Sequence, residues 1–289
     1  MTTEPIPTLG AGPRSGKWRR FRKDRAAMFG LCLLALIFIV SFIGPLVYRT
    51  DPFAIVARPL TPPGGGGTLL GTHKIGRDML AGLINGGRVT LLVGLAAAVL
   101  AVLIGSTIGS LAGYFGGKVD SVLMRFTEMT LAIPVVLFAI VLLTLFSTST
   151  FMVVVAIGVV SWPATARVAR AEFLRLREAD YVRIARTCGS GHMRIMLQQI
   201  LPNALPPLIV MSSLVVGIAM LFQAGISFLG LADPNSFSWG MMLGENRPTV
   251  LQAWWPTTLP GIAIFLTVLS VNLIGDGLNE ALNPREGSR

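Results

Sequence analysis

The sequence predicts an all-α, polytopic membrane protein with six transmembrane helices. Three observations carry that reading. Of 289 residues, 53% are hydrophobic and only 13% charged, whereas soluble domains carry roughly 25% charged residues; the mean hydropathy is +0.69. Apolar runs occupy 29–47, 89–112, 122–146, 151–166, 204–222 and 258–275, near the length of about 20 residues that crosses a hydrocarbon core. The cations follow those runs. Eighteen of the 24 Lys and Arg fall before the first run, between the second run and the first residues of the third (Lys118 and Arg125), between the fourth and fifth, and after the last. The positive-inside rule puts those segments and both termini in the cytoplasm. Because the net charge of +10 follows topology rather than one soluble face, no nucleic-acid partner is expected.

Residues 1–16 are rich in Pro, Gly and Thr and read as disordered. A basic stretch, Lys17 to Arg25, interleaves Trp18 and Phe21 with its charges, which suits either a helix on anionic lipid headgroups or an orientation signal alone. The first apolar run exceeds a signal-peptide core and lacks a small-residue cleavage site, so it reads as a retained signal-anchor. Segment 49–87 opens with proline-rich chain and four consecutive glycines. Ile75, Met79, Leu80, Leu83 and Ile84 then fall at helical spacing, predicting a short amphipathic helix on the outer surface.

In the second span, Gly94, Gly105 and Gly109, with Ser106 and Ser110, suit close helix packing. Pro134, mid-way along the third span, and Pro260, early in the sixth, predict kinks that serve a gate or shape the packing. Glu128 follows Arg125 by three residues, which suits an ion pair on one helix face. Trp239, Trp254 and Trp255 read as interfacial anchors.

No catalytic constellation is expected. His73 and His192 lie on opposite sides, and so do not form a metal or proton-shuttling pair; Cys32 and Cys188 are placed too far apart for a disulfide. Gly116-Gly117-Lys118 fails as a phosphate loop, with Ala112 at the first glycine position and Val119 at the Ser/Thr position. If ATP drives this chain, the nucleotide sites are on another polypeptide. Ser212, Ser213, Gln223 and Asn272, polar within spans, either line a translocation path or bond between helices.

Segment 178–202 is a large, basic connection between spans, and such connections are seldom passive. It reads as a short helix, a Gly-Ser-Gly break at Gly189 to Gly191, a second helix and a Leu-Pro stop at Leu201-Pro202. It resembles the EAA loop of bacterial ABC-importer permeases: Glu-Ala-Ala, three residues, Gly, nine residues, Ile-x-Leu-Pro. Ala185, Gly189, Leu201 and Pro202 match, while Arg183 and Ile184 replace the opening Glu-Ala and Gln199 replaces Ile. Nearly the whole chain is similar to the C-type permease subunit of dipeptide/oligopeptide (peptide/nickel) importers. The carrying motifs are RRFRKDRAAMFGL, GTHKIGRDML, Asp120 through Leu123-Met124-Arg125 to Ala132-x-Pro134, YVRIART, ILPNALPPLIV, ISFLGL, SWGMML and NLIGDGLNEALNPR. Glu128, Ala232 and Asn283 depart from the pattern.

The resemblance implies a type I ABC importer permease fold in the bacterial inner membrane. It divides the chain into a cytoplasmic tail 1–28, a first transmembrane helix 29–48 and an extracytoplasmic loop 49–87. A permease core 88–282 follows, including a coupling loop 172–202 and an extracytoplasmic segment 227–257, and then a tail 283–289. It implies a non-catalytic subunit that binds no cofactor, with ATP and Mg on two partner ATPase subunits. A homologous B-type permease, an extracytoplasmic solute-binding protein, membrane lipid and a peptide substrate complete the set. Tyr181, Val182, Ala185 and Arg186 become the docking face for the ATPase, and Gly189 and Gly191 the turn behind it. Nickel or another small solute is the alternative cargo. A self-contained secondary carrier is the alternative of another class, and neither an inverted repeat nor a midplane ion site supports it.

Overall fold

The computed structural model describes residues 15–146 and 148–282, with side chains from residue 19 onward. Disorder is expected over residues 1–16, but Ser15 and Gly16 already belong to the first helix; residues 1–14, the Trp18 side chain and the tail 283–289 with Asn283 lie outside the described residues. Among the described residues, five helices are long and apolar enough to cross a membrane, and six spans are counted when one pair of helices, bent at a short break, is taken as a single span.

Helix α1 (Ser15–Lys23) precedes α2 (Arg25–Val47), the first span. Asp24 separates them: its carboxylate accepts the amides of Ala26 at 2.9 Å and Ala27 at 3.3 Å, capping α2. The second span, α3 (Met79–Phe115), is capped the same way by Asp78, which accepts the Leu80 amide at 2.8 Å. The separate amphipathic helix expected around Ile75–Ile84 is absent. Met79 to Ile84 already belong to α3, while residues 71–78 form turns held by the isolated bridges Ile55–Arg77 and Thr72–Asp78. The cap at Asp78 fixes where the helix begins, so the helical spacing from Met79 onward belongs to the second span itself.

The third span is broken, not kinked. Helices α4 (Gly117–Ala132) and α5 (Val135–Leu145) meet at 86°. Pro134 offers no amide to the helical ladder and pushes Ile133 into extended geometry (φ −86°, ψ 127°). The fourth span, α6 (Thr150–Arg177), runs well past its apolar stretch. Its start is capped by Ser149 and tied to the far loop, where Asp233 accepts the Thr150 hydroxyl at 3.0 Å. Next come α7 (Asp180–Thr187), the short turn α8 (His192–Arg194), a π-helical turn (Ile195–Ile200) and α9 (Leu201–Phe228), the fifth span. Helix α10 (Trp239–Asn246) caps the end of the bundle opposite α7, and α11 (Trp255–Leu282), which contains Pro260 without interruption, is the sixth span.

Small residues decide the packing. A Cβ on Gly105, Gly109 or Gly113 of α3 would fall 2.5, 2.2 or 2.6 Å from the carbonyls of Trp162, Ala166 and Arg170 on α6. The four-residue step is matched on both helices, so their backbones run in direct contact over two turns. Gly94 makes room for the Met220 side chain of α9: a Cβ there would fall 2.4 Å from Met220 Cγ. Ser106 and Ser110 bond to carbonyls of their own helix and supply no cross-helix bond. The central core, including Leu143, Ile157, Trp162 and Ile226, surrounds this α3–α6 seam.

Arg125 and Glu128 form no ion pair; both side chains are exposed on α4. The acid that α4 does pair is Asp120, gripped by Arg170 of α6.

Candidate functional site

At the end of the bundle where α6 terminates, segment 178–202 folds back as a compact element. Its apolar interior is built from five elements. Helix α6 contributes Ala169, Phe173 and Leu176, spaced four and three residues apart on one face. Helix α7 contributes Val182, the π-turn Ile195, Met196 and Ile200, α9 Ala204 and Leu208, and α3 Tyr114. Val182, Ile195 and Ile200 are fully enclosed. Burying a side chain of that size contributes about 1.5–3 kcal/mol, enough to keep a helix of only two turns docked.

The expected docking residues therefore divide. Tyr181 and Arg186 are exposed, Ala185 is half-buried, and Val182 has no exposed surface. Val182 and Ala185, three residues apart on one face, form the anchoring side; Arg186, one turn beyond Val182, is exposed in the last turn of the helix. Arg183, Ile184 and Thr187 complete the outer face.

The turn also differs from expectation in one half. Gly189 adopts φ +76°, the left-handed region that glycine enters without penalty. Its amide and that of Ser190 close the end of α7 on the carbonyls of Arg186 and Ala185, at 3.1 Å each. Gly191 does not share that role: with φ −66° and ψ 152° it stands in ordinary extended geometry ahead of α8.

Leu201-Pro202 is no stop. The chain is helical from His192 to Phe228, and Pro202 sits in the first turn of α9. Proline removes a ladder amide there, and the preceding turn widens: the Leu201 amide reaches back to the Met196 carbonyl. The widened turn lets Ile195, Met196 and Ile200 all face the interior.

Polar contacts fix the element at its roots. The Arg177 guanidinium donates to the carbonyls of Gly113 at 3.4 Å and Tyr114 at 3.2 Å, satisfying the end of α3. The Tyr114 hydroxyl and His192 Nδ1 are hydrogen-bonded at 2.9 Å, and Asn203 Nδ2 donates to the Tyr181 hydroxyl at 3.4 Å. Glu178, between Arg177 at 3.1 Å and Arg183 at 3.4 Å, has its carboxyl held below the usual range, chiefly by the bond from Arg177. Sequence reasoning missed Phe173, Tyr114, Arg177 and His192 here. Tyr114 lies 63 residues before Arg177, and no local pattern joins them.

The residues proposed for a translocation path are scattered along α9 and α11. Ser212 and Ser213 donate to the carbonyls of Leu208 at 2.6 Å and Val210 at 2.7 Å. Ser213 also lies against Gly275 of α11, and Asn272 lies near Gly217 of α9. Gln223 is 2% exposed; its Nε2 donates to Ser227 at 3.0 Å, while its Oε1 has no partner. Among the described residues, no group of three His, Cys, Asp or Glu side chains is arranged to hold a metal ion.

At the opposite end, segment 49–78 is locked to α10. His73 Nδ1 accepts the amides of Ile75 at 3.1 Å and Arg77 at 3.3 Å, so the neutral ring carries its proton on Nε2. That nitrogen stands 3.4 Å from Glu245, within ion-pair range but off line for a hydrogen bond. Arg77 reaches the same carboxylate at 3.5 Å, and Asn246 accepts the Lys74 amide at 3.1 Å.

Comparisons with known proteins agree with this architecture. Residues 105–287 match the family described as "Binding-protein-dependent transport system inner membrane component". Residues 13–63 match the "N-terminal TM domain of oligopeptide transport permease C". The di/tripeptide transport system permease protein DppC of Pseudomonas aeruginosa is 38% identical over 275 residues, covering 93% of this chain and 91% of that protein. The dipeptide transport system permease protein DppC of Bacillus subtilis is 36% identical, covering 93% and 84%. The oligopeptide transport system permease protein OppC of Haemophilus influenzae is 37% identical, covering 93% and 87%. A solved structure of the MetNI methionine ABC transporter in inward-facing conformations superposes with a TM-score of 0.61. It covers 71% of this chain and 98% of that one at 17% identity, a likeness of fold alone.

Proposed function

Because this chain belongs to the inner-membrane components of binding-protein-dependent transport systems, in their oligopeptide permease C branch, we propose that it forms half of the translocation pathway of an ATP-driven importer of di- and oligopeptides. The carrying observation is the docked helix α7. It presents Tyr181, Arg183, Ile184 and Arg186 outward while Val182 ties it to α6, the π-turn and α9. Such an element transmits a push. When two ATPase subunits close around ATP and Mg2+, force on the outer face of α7 passes through Val182 and the Ile195–Ile200 turn into α9, and through Phe173 into α6. The left-handed Gly189 preserves the reversal of the chain while the two arms move as one body.

A homologous B-type permease supplies the other half. Large apolar side chains exposed on α4, α5 and α9, including Val122, Phe126, Met129, Leu137, Leu205 and Ile209, offer it a face, with lipid covering the remainder. The positive-inside distribution puts α7 in the cytoplasm and α10 outside, where a solute-binding protein would deliver cargo. This chain contributes no catalytic group and holds no nucleotide in this reading. Peptide is favoured over nickel because relatives matching over nearly the whole chain are named as di-, tri- or oligopeptide permeases.

The test is reconstitution of the tagged chain, with the subunits that co-purify and the binding protein, into proteoliposomes. ATP-dependent uptake of a labelled tripeptide is expected, with none from this chain alone. Uptake by this chain alone under an ion gradient would overturn the reading. So would an assembled complex that moves nickel and no peptide.

A further inference from the structure

We propose that α1 is a binding site for anionic phospholipid headgroups, fixed to the helical bundle through Phe21. Arg19, Arg20, Arg22, Lys23 and Arg25 are all exposed, and among the described residues none of them enters an ion pair. The acid in this stretch, Asp24, is committed to capping α2. Five cations are therefore uncompensated within two turns of helix. Their depth is set by the chain: α2 begins at Arg25, and Phe29, Leu36 and Ile39 along it are exposed as lipid-facing side chains. A helix placed there lies in the headgroup layer, where an anionic leaflet supplies the phosphates that the guanidinium groups lack.

The attachment of α1 separates this site from a loose basic tail. Phe21 is 4% exposed and packs with Ala27 and Ala281. Gly277 of α11 makes room for it: a Cβ at 277 would fall 2.3 Å from Ala27 and 3.3 Å from the Phe21 ring. The cations are thus presented from a rigid platform on α11. Electrostatic attraction alone would favour anionic lipid in bulk; a platform predicts lipid retained through purification.

The full-length chain, solubilised from vesicles of equal phosphatidylglycerol and phosphatidylcholine with matched acyl chains, would be examined by native mass spectrometry. Severalfold enrichment of retained phosphatidylglycerol is expected, falling as salt is raised. The variant Arg19→Gln/Arg20→Gln/Arg22→Gln/Lys23→Gln should lose that enrichment while keeping its thermal transition. Phe21→Ser, which keeps every charge but frees the helix, should lose most of it too. Equal retention of the two lipids by the wild-type chain would overturn the proposal, as would full enrichment in the fourfold variant. Co-purification of nucleic acid in place of lipid would also overturn it. If Phe21→Ser retains the wild-type enrichment, the platform is wrong.

Discussion

Arg170 grips Asp120 through two parallel hydrogen bonds, Nε to Oδ1 at 2.5 Å and Nη2 to Oδ2 at 2.6 Å. The fork ties α6, which carries α7 at its end, to α4, the first limb of the broken span. The paired geometry is the strong form of a charge-assisted bond, but the Arg170 side chain is 36% exposed, so solvent screening reduces its worth. A double-mutant cycle with Asp120→Asn and Arg170→Gln, read by thermal unfolding in detergent, should give a coupling energy of about 1–2 kcal/mol. No coupling would mean that α4 is held by packing alone.

The α3–α6 seam predicts a sharp contrast between two glycines. At Gly109 an added methyl would meet the Ala166 carbonyl at 2.2 Å, a backbone atom that cannot turn aside, whereas at Gly94 it would meet Met220 Cγ at 2.4 Å, a side-chain atom that rotation about the Cα–Cβ bond can move. Gly109→Ala should destabilise by more than about 2 kcal/mol and lower the folded yield. Gly94→Ala should cost clearly less, since Met has three rotatable bonds with which to move away. Comparable melting temperatures for the two variants would contradict the close backbone approach.

Much of this was legible because hydrophobic length and charge placement are local properties. The apolar spans, the role of Gly94, Gly105 and Gly109 in packing, and a chain break at Gly189 follow from residue type and spacing. What escaped depends on partners distant in sequence or on competition between neighbours. Pro134 announced a disturbed helix, but whether the chain bends or breaks depends on Ile133 and on what holds α5. Val182 reads as one apolar residue among charges until Phe173, Ile195 and Ile200 surround it. Arg125 and Glu128 have favourable spacing, yet an exposed pair contributes little to hold it together, whereas Asp120 finds Arg170 fifty residues away.

The lock between segment 49–78 and α10 predicts a dependence on acidity. Burial works to raise the Glu245 carboxyl above its ordinary 4.5, but the His73 ring and the Arg77 and Lys74 cations outweigh it, and the net shift is downward. A carboxyl depressed in the folded state adds stability that is present above its unfolded value and is lost as pH falls through the folded one. Thermal stability measured from pH 6 down to about pH 3.5 should therefore decline below about 4.5. Glu245→Gln should flatten part of that decline and lower the transition temperature at pH 6. An unchanged pH profile in the variant would remove Glu245 from the lock.

The lever reading makes its sharpest demand at the two glycines behind α7. A side chain at Gly189 meets no neighbour within 4 Å, so its penalty comes from the left-handed backbone alone, about 1–2 kcal/mol. Gly191 has equal space and an ordinary φ of −66°, so Gly191→Ala loses only the preference for glycine over alanine at an N-cap, roughly 0.5–1 kcal/mol, without the left-handed penalty. In proteoliposomes, Gly191→Ala should transport nearly as the wild type, while Gly189→Ala should lose uptake without a matching loss of ATP hydrolysis. Val182→Ala should uncouple in the same way through a different cause. Truncating an enclosed valine leaves a cavity under α7, so the ATPase moves a helix that no longer moves α9 with it. Unchanged uptake in both Gly189→Ala and Val182→Ala would show that force enters the membrane elsewhere.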